Sequence, residues 1–341
     1  MEEAIAKKAK ELGYESCGII GTGEVLDFAD KLRERIEKAP GNDGMYNRFF
    51  DYANLHEVYP WAKSVIVCIV KYVQYIIPGN LDGLIGKNYL VDVRSGEKGR
   101  EYKASAQFEN YLKSLGLKVE TQRLFGASSL RWGAHKAGLG IIRKNNFFYT
   151  TDSGSWLHLE VFLTDREMEL KREPLGEPCP PDCGLCIAAC PTKSLSEPYV
   201  MNPATCISAL TVRPDTDLAT SPHREELGKW IYGCDACQDA CPHNLNKWRQ
   251  TEVFPGLAEL ASAVTLESIV RMDDGRLIEL LADKFFYIDR ERIWRWKVNA
   301  LNAMLNDYNV GYADTIKAAM GDPNEEVRSM AKFVAQQKAL L

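Results

Sequence analysis

No apolar run in this chain approaches the ~20 residues needed to cross a bilayer, so neither a membrane protein nor a membrane partner is expected. Basic residues are not in excess. Lys and Arg number 42 against 47 Asp and Glu, a formal net charge of −5, so the chain has no global nucleic-acid footprint. The opening Met1-Glu2-Glu3-Ala4-Ile5-Ala6 has the pattern of an amphipathic helix rather than a secretory or twin-arginine signal, which predicts a cytoplasmic protein. The dinucleotide fingerprint is also missing. Gly138-Leu139-Gly140 lacks a third glycine at the right spacing and follows a helix-like segment, so a nicotinamide site is unsupported.

Cysteine, by contrast, is plentiful. Eight of the ten cysteines form two groups, each ending in Cys-Pro. Cys179, Cys183, Cys186 and Cys190-Pro191 form one; Cys206, Cys234, Cys237 and Cys241-Pro242 form the other. Two [4Fe–4S] clusters need eight thiolates, and the Cys-Pro endings match the bacterial ferredoxin run, in which the last Cys of one motif ligates the other cluster. That cross-wiring puts Cys179, Cys183, Cys186 and Cys241 on one cluster and Cys190, Cys206, Cys234 and Cys237 on the second. One spacing departs from the run: three residues, not two, separate Cys179 from Cys183. Structural zinc also uses C-x2-C pairs but does not favour the trailing proline. A disulfide framework fits poorly with cysteines gathered in one region of a long chain. Cys17 and Cys68 sit in apolar runs and read as small buried hydrophobes.

The pattern along the chain is α+β in three parts. Residues 1–165 read as an α/β domain, with helices at 2–12, 24–38, 100–115 and 131–140. Its strands are expected at 16–20, 64–72 and 118–124, with a half-exposed one at 156–163. Residues 166–250, rich in Pro and Cys, suggest a small domain held by its clusters rather than by a core. Residues 251–341 are helical in pattern. Asp322-Pro323-Asn324-Glu325 reads as an N-cap with a capping box, followed by the stripe Val327, Met330, Ala331, Val334. With 296–305 and 313–320 this suggests a pair of HEAT-type helices. The basic stretch Arg290–Lys297 suggests a helix with buried Trp and solvated charges, or else contacts to nucleic acid.

The order of features resembles the epoxyqueuosine reductase family. The pieces that carry the likeness are Ala62-Lys63-Ser64-Val65-Ile66-Val67 with Tyr72, Ala137-Gly138-Leu139-Gly140 with Lys144-Asn145, and Gly154-Ser155-Trp156. In the cluster region they are Cys190-Pro191-Thr192, Cys206-Ile207-Ser208 and Ile231-Tyr232-Gly233-Cys234-Asp235-Ala236-Cys237-Gln238. The resemblance implies a nitroreductase-like cobalamin-binding domain, a bacterial ferredoxin-like double-cluster domain and C-terminal HEAT-like helices. It implies two [4Fe–4S] clusters reducing cobalamin to Co(I), which removes a leaving group from a substrate, either a small molecule or tRNA. Reduced ferredoxin or flavodoxin is the implied electron donor. Gly138, Leu139, Gly140, Lys144, Gly154 and Ser155 are the expected cobalamin-binding residues. The family's catalytic Asp falls here on Leu124, and a second acidic position on Leu130. No carboxylate lies between Gln122 and Gly140, so an acid there would have to be replaced, with His135, Lys144 or a Tyr as candidates. That departure points to a substrate other than epoxyqueuosine. An electron-transfer protein serving a partner's corrinoid is the alternative from another class.

Overall fold

The computed structural model describes residues 1–92, 99–123, 125–173, 176–213 and 216–341. At its centre is a four-stranded sheet of β1 (Ser16–Gly21), β2 (Ser64–Lys71), β3 (Val119–Glu120) and β6 (Leu157–Thr164), in the order β1-β2-β6-β3. Every pairing in this sheet is antiparallel. A two-stranded hairpin, β4 (Ile141–Ile142) and β5 (Phe148–Tyr149), stands beside it.

The sheet is covered on both faces. Ile19, Ile66, Cys68, Val70 and Phe162 pack with Ile5 and Ala9 of helix α1 (Glu2–Glu11) and with Phe108 and Leu112 of α3 (Arg100–Ser114). Ile20, Val65, Val67, Ile69, Leu159, Val161 and Leu163 pack with Ala134 of α4 (Leu130–Lys136). Cys17 and Cys68 face each other across β1 and β2, both buried.

Several expectations need correction. The strand near 156–163 is not half-exposed: every residue of β6 is buried. Its alternation separates two covered faces, and its polar members are accommodated inside. Glu160 accepts a hydrogen bond from Tyr14 Oη at 2.6 Å, and the His158 ring lies 4.9 Å from that of Tyr72. The segment 24–38 is broken: a 3-10 turn, Thr22–Val25, precedes α2 (Phe28–Lys38). The strand expected over 118–124 pairs only at Val119 and Glu120, and Leu124 lies outside the described residues.

The cysteine segment has short helices at Leu185–Ala188 and Ala236–Asp239 and a small hairpin, β7 (Leu195–Glu197) with β8 (Val200–Met201). Cys186, Cys190 and Leu195 form a small apolar cluster of their own, but Ile207, Leu210, Leu218, Leu227, Ile231 and Tyr232 are buried in the main core, so the segment is not held apart from a core as expected. The C-terminal part is helical, including Arg295–Asn306, Ala313–Ala319 and Glu325–Gln337. The N-cap of the last helix is Asn324, not Asp322; its side chain accepts from the Glu326 and Val327 amides. Asp322 instead accepts from Lys297 Nζ at 2.9 Å. The basic stretch also departs from expectation, because Arg295 and Lys297 are as buried as Trp296. Arg295 donates to the carbonyls of Leu210 and Thr216. Among the described residues no helix is long and apolar enough to cross a membrane.

Candidate functional site

The eight grouped thiols line two cavities. Cys179, Cys183, Cys186 and Cys241 rim one of about 160 Å³. Cys190, Cys206, Cys234 and Cys237 lie along another of about 380 Å³, which extends to Leu157–Leu159 of β6 and to Asn145–Phe148 of the β4–β5 hairpin. Electrostatics follows the same partition. Cys186 feels Cys241 and Cys179, while Cys237 feels Cys234, Cys206 and Cys190 most strongly. Burial raises the Cys186 and Cys206 thiols and takes Cys234 to about 12, so ligation of these sulfurs releases protons. Among the described residues no three His, Cys, Asp or Glu side chains close on a single metal-ion position.

The tip of the β4–β5 hairpin reaches both cavities. Asn145-Asn146 sits between two apolar pairs, and Asn146 takes a left-handed φ of 65°, a conformation Asn tolerates better than most residues. Arg143 Nη1 lies 3.6 Å from Cys179 Sγ. Its side chain is buried and its Nε has no hydrogen-bond partner among the described residues. Lys144 Nζ donates to the carbonyls of Pro180, Pro181 and Cys183 at 2.7, 2.9 and 2.8 Å. Asn145 Nδ2 donates to Cys237 O at 3.0 Å. Asn146 accepts from Arg35 and, through its carbonyl, from Arg131.

The glycines expected near a cofactor instead meet the protein itself. A Cβ at Gly138, where φ is +73°, would collide with the Arg172 carbonyl, and one at Gly140 with that of Tyr149. Leu139 is buried in the core. Gly154 and Ser155 dock the cysteine segment: Ser155 N donates to Asn244 Oδ1 at 2.8 Å and Ser155 Oγ to Gln238 Oε1 at 2.8 Å. Of these six residues, Ser155 lines the larger cavity and Lys144 the smaller. His135 lines neither; its Nδ1 lies 3.5 Å from Gly140 O and its ring 5.6 Å from Trp132.

Behind a shared wall of Leu130, Arg131, Asn146 and Met201 is a further cavity of about 240 Å³, with seven aromatic side chains among its sixteen lining residues. Sequence reading missed it because its walls come from three distant segments, 28–52, 125–146 and 199–201. No local spacing signals such a convergence.

Comparison with known proteins follows the same lines. The family described as a 4Fe-4S double cluster binding domain matches residues 179–244. An epoxyqueuosine reductase of Prochlorococcus marinus is 28% identical over 239 residues, covering 63% of this chain and 73% of the relative. That of Synechocystis sp. is 30% identical over 220 residues, covering 59% and 69%. Among solved structures, epoxyqueuosine reductase of Bacillus subtilis, with its catalytic loop swung out of the active site, superposes with a TM-score of 0.76 at 23% identity, covering 98% of this chain and 89% of that one. The Streptococcus thermophilus structure gives 0.78 at 22% identity, covering 99% and 90%. A complex of an epoxyqueuosine reductase with a modified tRNA-Tyr stem loop gives 0.76 at 23% identity, covering 98% and 89%.

Proposed function

This chain belongs to the epoxyqueuosine reductase family of iron–sulfur oxidoreductases, and from that membership we propose that it is a cobalamin-dependent reductase acting on a substrate other than epoxyqueuosine. The observation that carries the reading is the 380 Å³ cavity, with four thiols at one end and the sheet of the N-terminal half at the other. One [4Fe–4S] cluster takes Cys179, Cys183, Cys186 and Cys241; the other takes Cys190, Cys206, Cys234 and Cys237. The residues fit that assignment. A cluster with four thiolates is anionic, and Arg143 brings a buried cation with an unpartnered Nε to the first set. The proline that follows the last Cys of each run fits clusters better than zinc.

A corrinoid reaching into the open side of the larger cavity would meet apolar Leu157 and Leu159 beside Asn145, Ser155 and Ser208. Bound there, it supplies a strongly reducing, nucleophilic Co(I) centre. The chain's own part is to bring electrons in past the thiol end, from a ferredoxin or flavodoxin, and to deliver protons. Overall, two electrons and two protons replace a carbon–leaving-group bond with carbon–hydrogen. Lys144 is not the donor, since its three N–H groups are spent on three carbonyls. His135 stands outside the cavities. Tyr52 and Tyr199, which line the 240 Å³ cavity, remain as hydroxyl proton sources.

A second reading, a tRNA epoxyqueuosine reductase with a relocated proton donor, rests on the names of the relatives. It loses support from Arg295 and Lys297, which are buried and engaged rather than offered to phosphate.

The test is anaerobic purification with iron, sulfide and cobalt assays and a visible spectrum after adding cobalamin. About eight irons, from two four-iron clusters, and one corrinoid per chain are expected. Eight irons without corrinoid affinity would leave an electron-transfer protein as the account.

A further inference from the structure

The 240 Å³ cavity contains two cationic side chains, Arg35 and Arg131, and no Asp or Glu among its lining residues. Neither arginine has a carboxylate partner among the described residues. Arg35 donates to Asn146 Oδ1 at 3.4 Å and Arg131 to the Asn146 carbonyl. Both bonds leave guanidinium N–H groups over, since each head group carries five. Arg131 is exposed at the surface, and packing around it together with the nearby Arg35 charge lowers its pKa to about 10. Its head group lines the cavity from an exposed position. Arg35 is lowered as well, first by burial. Tyr46 feels both arginines, but its hydroxyl proton is committed to Met201 O at 3.0 Å.

Holding two like charges close together is unfavourable, and an anion between them relieves the repulsion. Planar guanidinium forks suit carboxylate and phosphate oxygens, bidentately where the approach allows. Half of the remaining wall is aromatic, with Phe28, Phe49, Tyr52 and Trp132 among the rings, beside aliphatic side chains and the hydroxyls of Ser128 and Ser129. Such walls select a flat apolar body. Arg131 also lines the larger cavity, so an anion held here is next to the redox chamber.

We propose that Arg35 and Arg131 form the anion-binding end of the substrate pocket, and that the substrate is a small aromatic carboxylate or phosphate ester. The inference rests on the reductase reading and supplies its substrate class.

The test is binding to the cluster-loaded protein without turnover, read by calorimetry and by the fluorescence of Trp132, a pocket residue. Benzoate and phenyl phosphate are the probes, with benzyl alcohol as the neutral control. Both anions should bind and benzyl alcohol should not. Arg35→Met should weaken the anions roughly tenfold or more, as loss of a charge-assisted hydrogen bond implies, while Arg35→Lys retains part of the affinity. Iron content and unfolding temperature establish that each variant is folded. Equal binding of benzoate and benzyl alcohol, or an unchanged affinity in Arg35→Met, would overturn the proposal. The corrinoid's own nucleotide phosphate is the other source of the same chemistry. If Arg35→Met weakens cobalamin but not cobinamide, which lacks that phosphate, and phenyl phosphate competes with cobalamin alone, the pair grips the cofactor and the substrate assignment falls. Displacement of phenyl phosphate by a tRNA anticodon stem loop would also sink it, in favour of the tRNA reading. Because the readout is binding to this cavity, the proposal can fail while the corrinoid titration succeeds, and the reverse.

Discussion

Arg143 carries a charge into the interior and places it 3.6 Å from a thiol of the first set. A cation there favours the reduced, more negative state of a cluster, since net charge and hydrogen bonds to sulfur set the potential. Arg143→Met should therefore move one of the two cluster potentials to a more negative value and leave the other nearly unchanged. A redox titration followed by electron paramagnetic resonance checks this, and two unmoved potentials would refute it. Lys284 is a half-buried cation, whose pKa burial lowers to about 8 despite the attraction of Asp92. Its ammonium lies over the rings of Phe254 and Phe285, at 4.5 and 5.9 Å. The unfolded chain titrates this group near 10.4. Between about 8 and 10.4 the unfolded state binds more protons, so this group's contribution to stability grows as pH rises through that window and is flat below it. Lys284→Met should be more stable than the parent at pH 7, with the difference shrinking toward pH 10, as measured by denaturant unfolding.

Helix Arg295–Asn306 fastens the cysteine segment to the C-terminal layer. Asn299 Nδ2 donates to the carbonyls of Thr211 and Ile231, each at 2.8 Å, and Asn306 Nδ2 donates to those of Arg224 and Gly228. Asn299→Leu leaves two buried carbonyls without these donors, at about 1–3 kcal/mol each. Urea unfolding of the cluster-loaded variant should show a loss of about 2–5 kcal/mol, and a loss under 1 kcal/mol would refute the fastening role. This helix also marks how far sequence carries. Its existence was legible from periodicity, but the burial of Arg295 and Lys297 was not, because their partners lie 79 and 85 residues upstream and 25 downstream in the chain. Strand β6 was misjudged for a related reason. Alternation of Leu157, His158, Leu159 and Glu160 is the mark of a strand with one wet face; here helices cover both faces, and Tyr14 accommodates Glu160. The cysteines were legible because the Cys-Pro runs state their grouping locally. Arg35 and Arg131 were not, because only the folded chain brings residues 96 apart to one cavity.

One hydrophobic cluster runs through the molecule from Ile5 to Ala335, so its ends are mechanically joined. On it hangs a cysteine segment whose two cavities draw on interleaved stretches of chain. If the eight sulfurs hold two clusters in that pattern, Cys241→Ser should cost the cluster of Cys179, Cys183 and Cys186, leaving about four irons. Adding Cys179→Ser should then cost no more iron, whereas adding Cys190→Ser should remove most of the remainder. Iron assay of the single and double variants reads this directly, and additive loss from Cys179 and Cys241 would overturn the interleaving. The hairpin tip touches both thiol sets through Arg143, Lys144 and Asn145, and touches the aromatic cavity through Asn146 alone. Residues 28–52 supply six other residues of that cavity's wall, none of which touches a thiol set. Inheritance can therefore treat the two regions differently. Among descendants of this chain, 28–52 is free to drift toward new substrates, while a one-residue insertion in the tip would disturb the surroundings of both thiol sets at once.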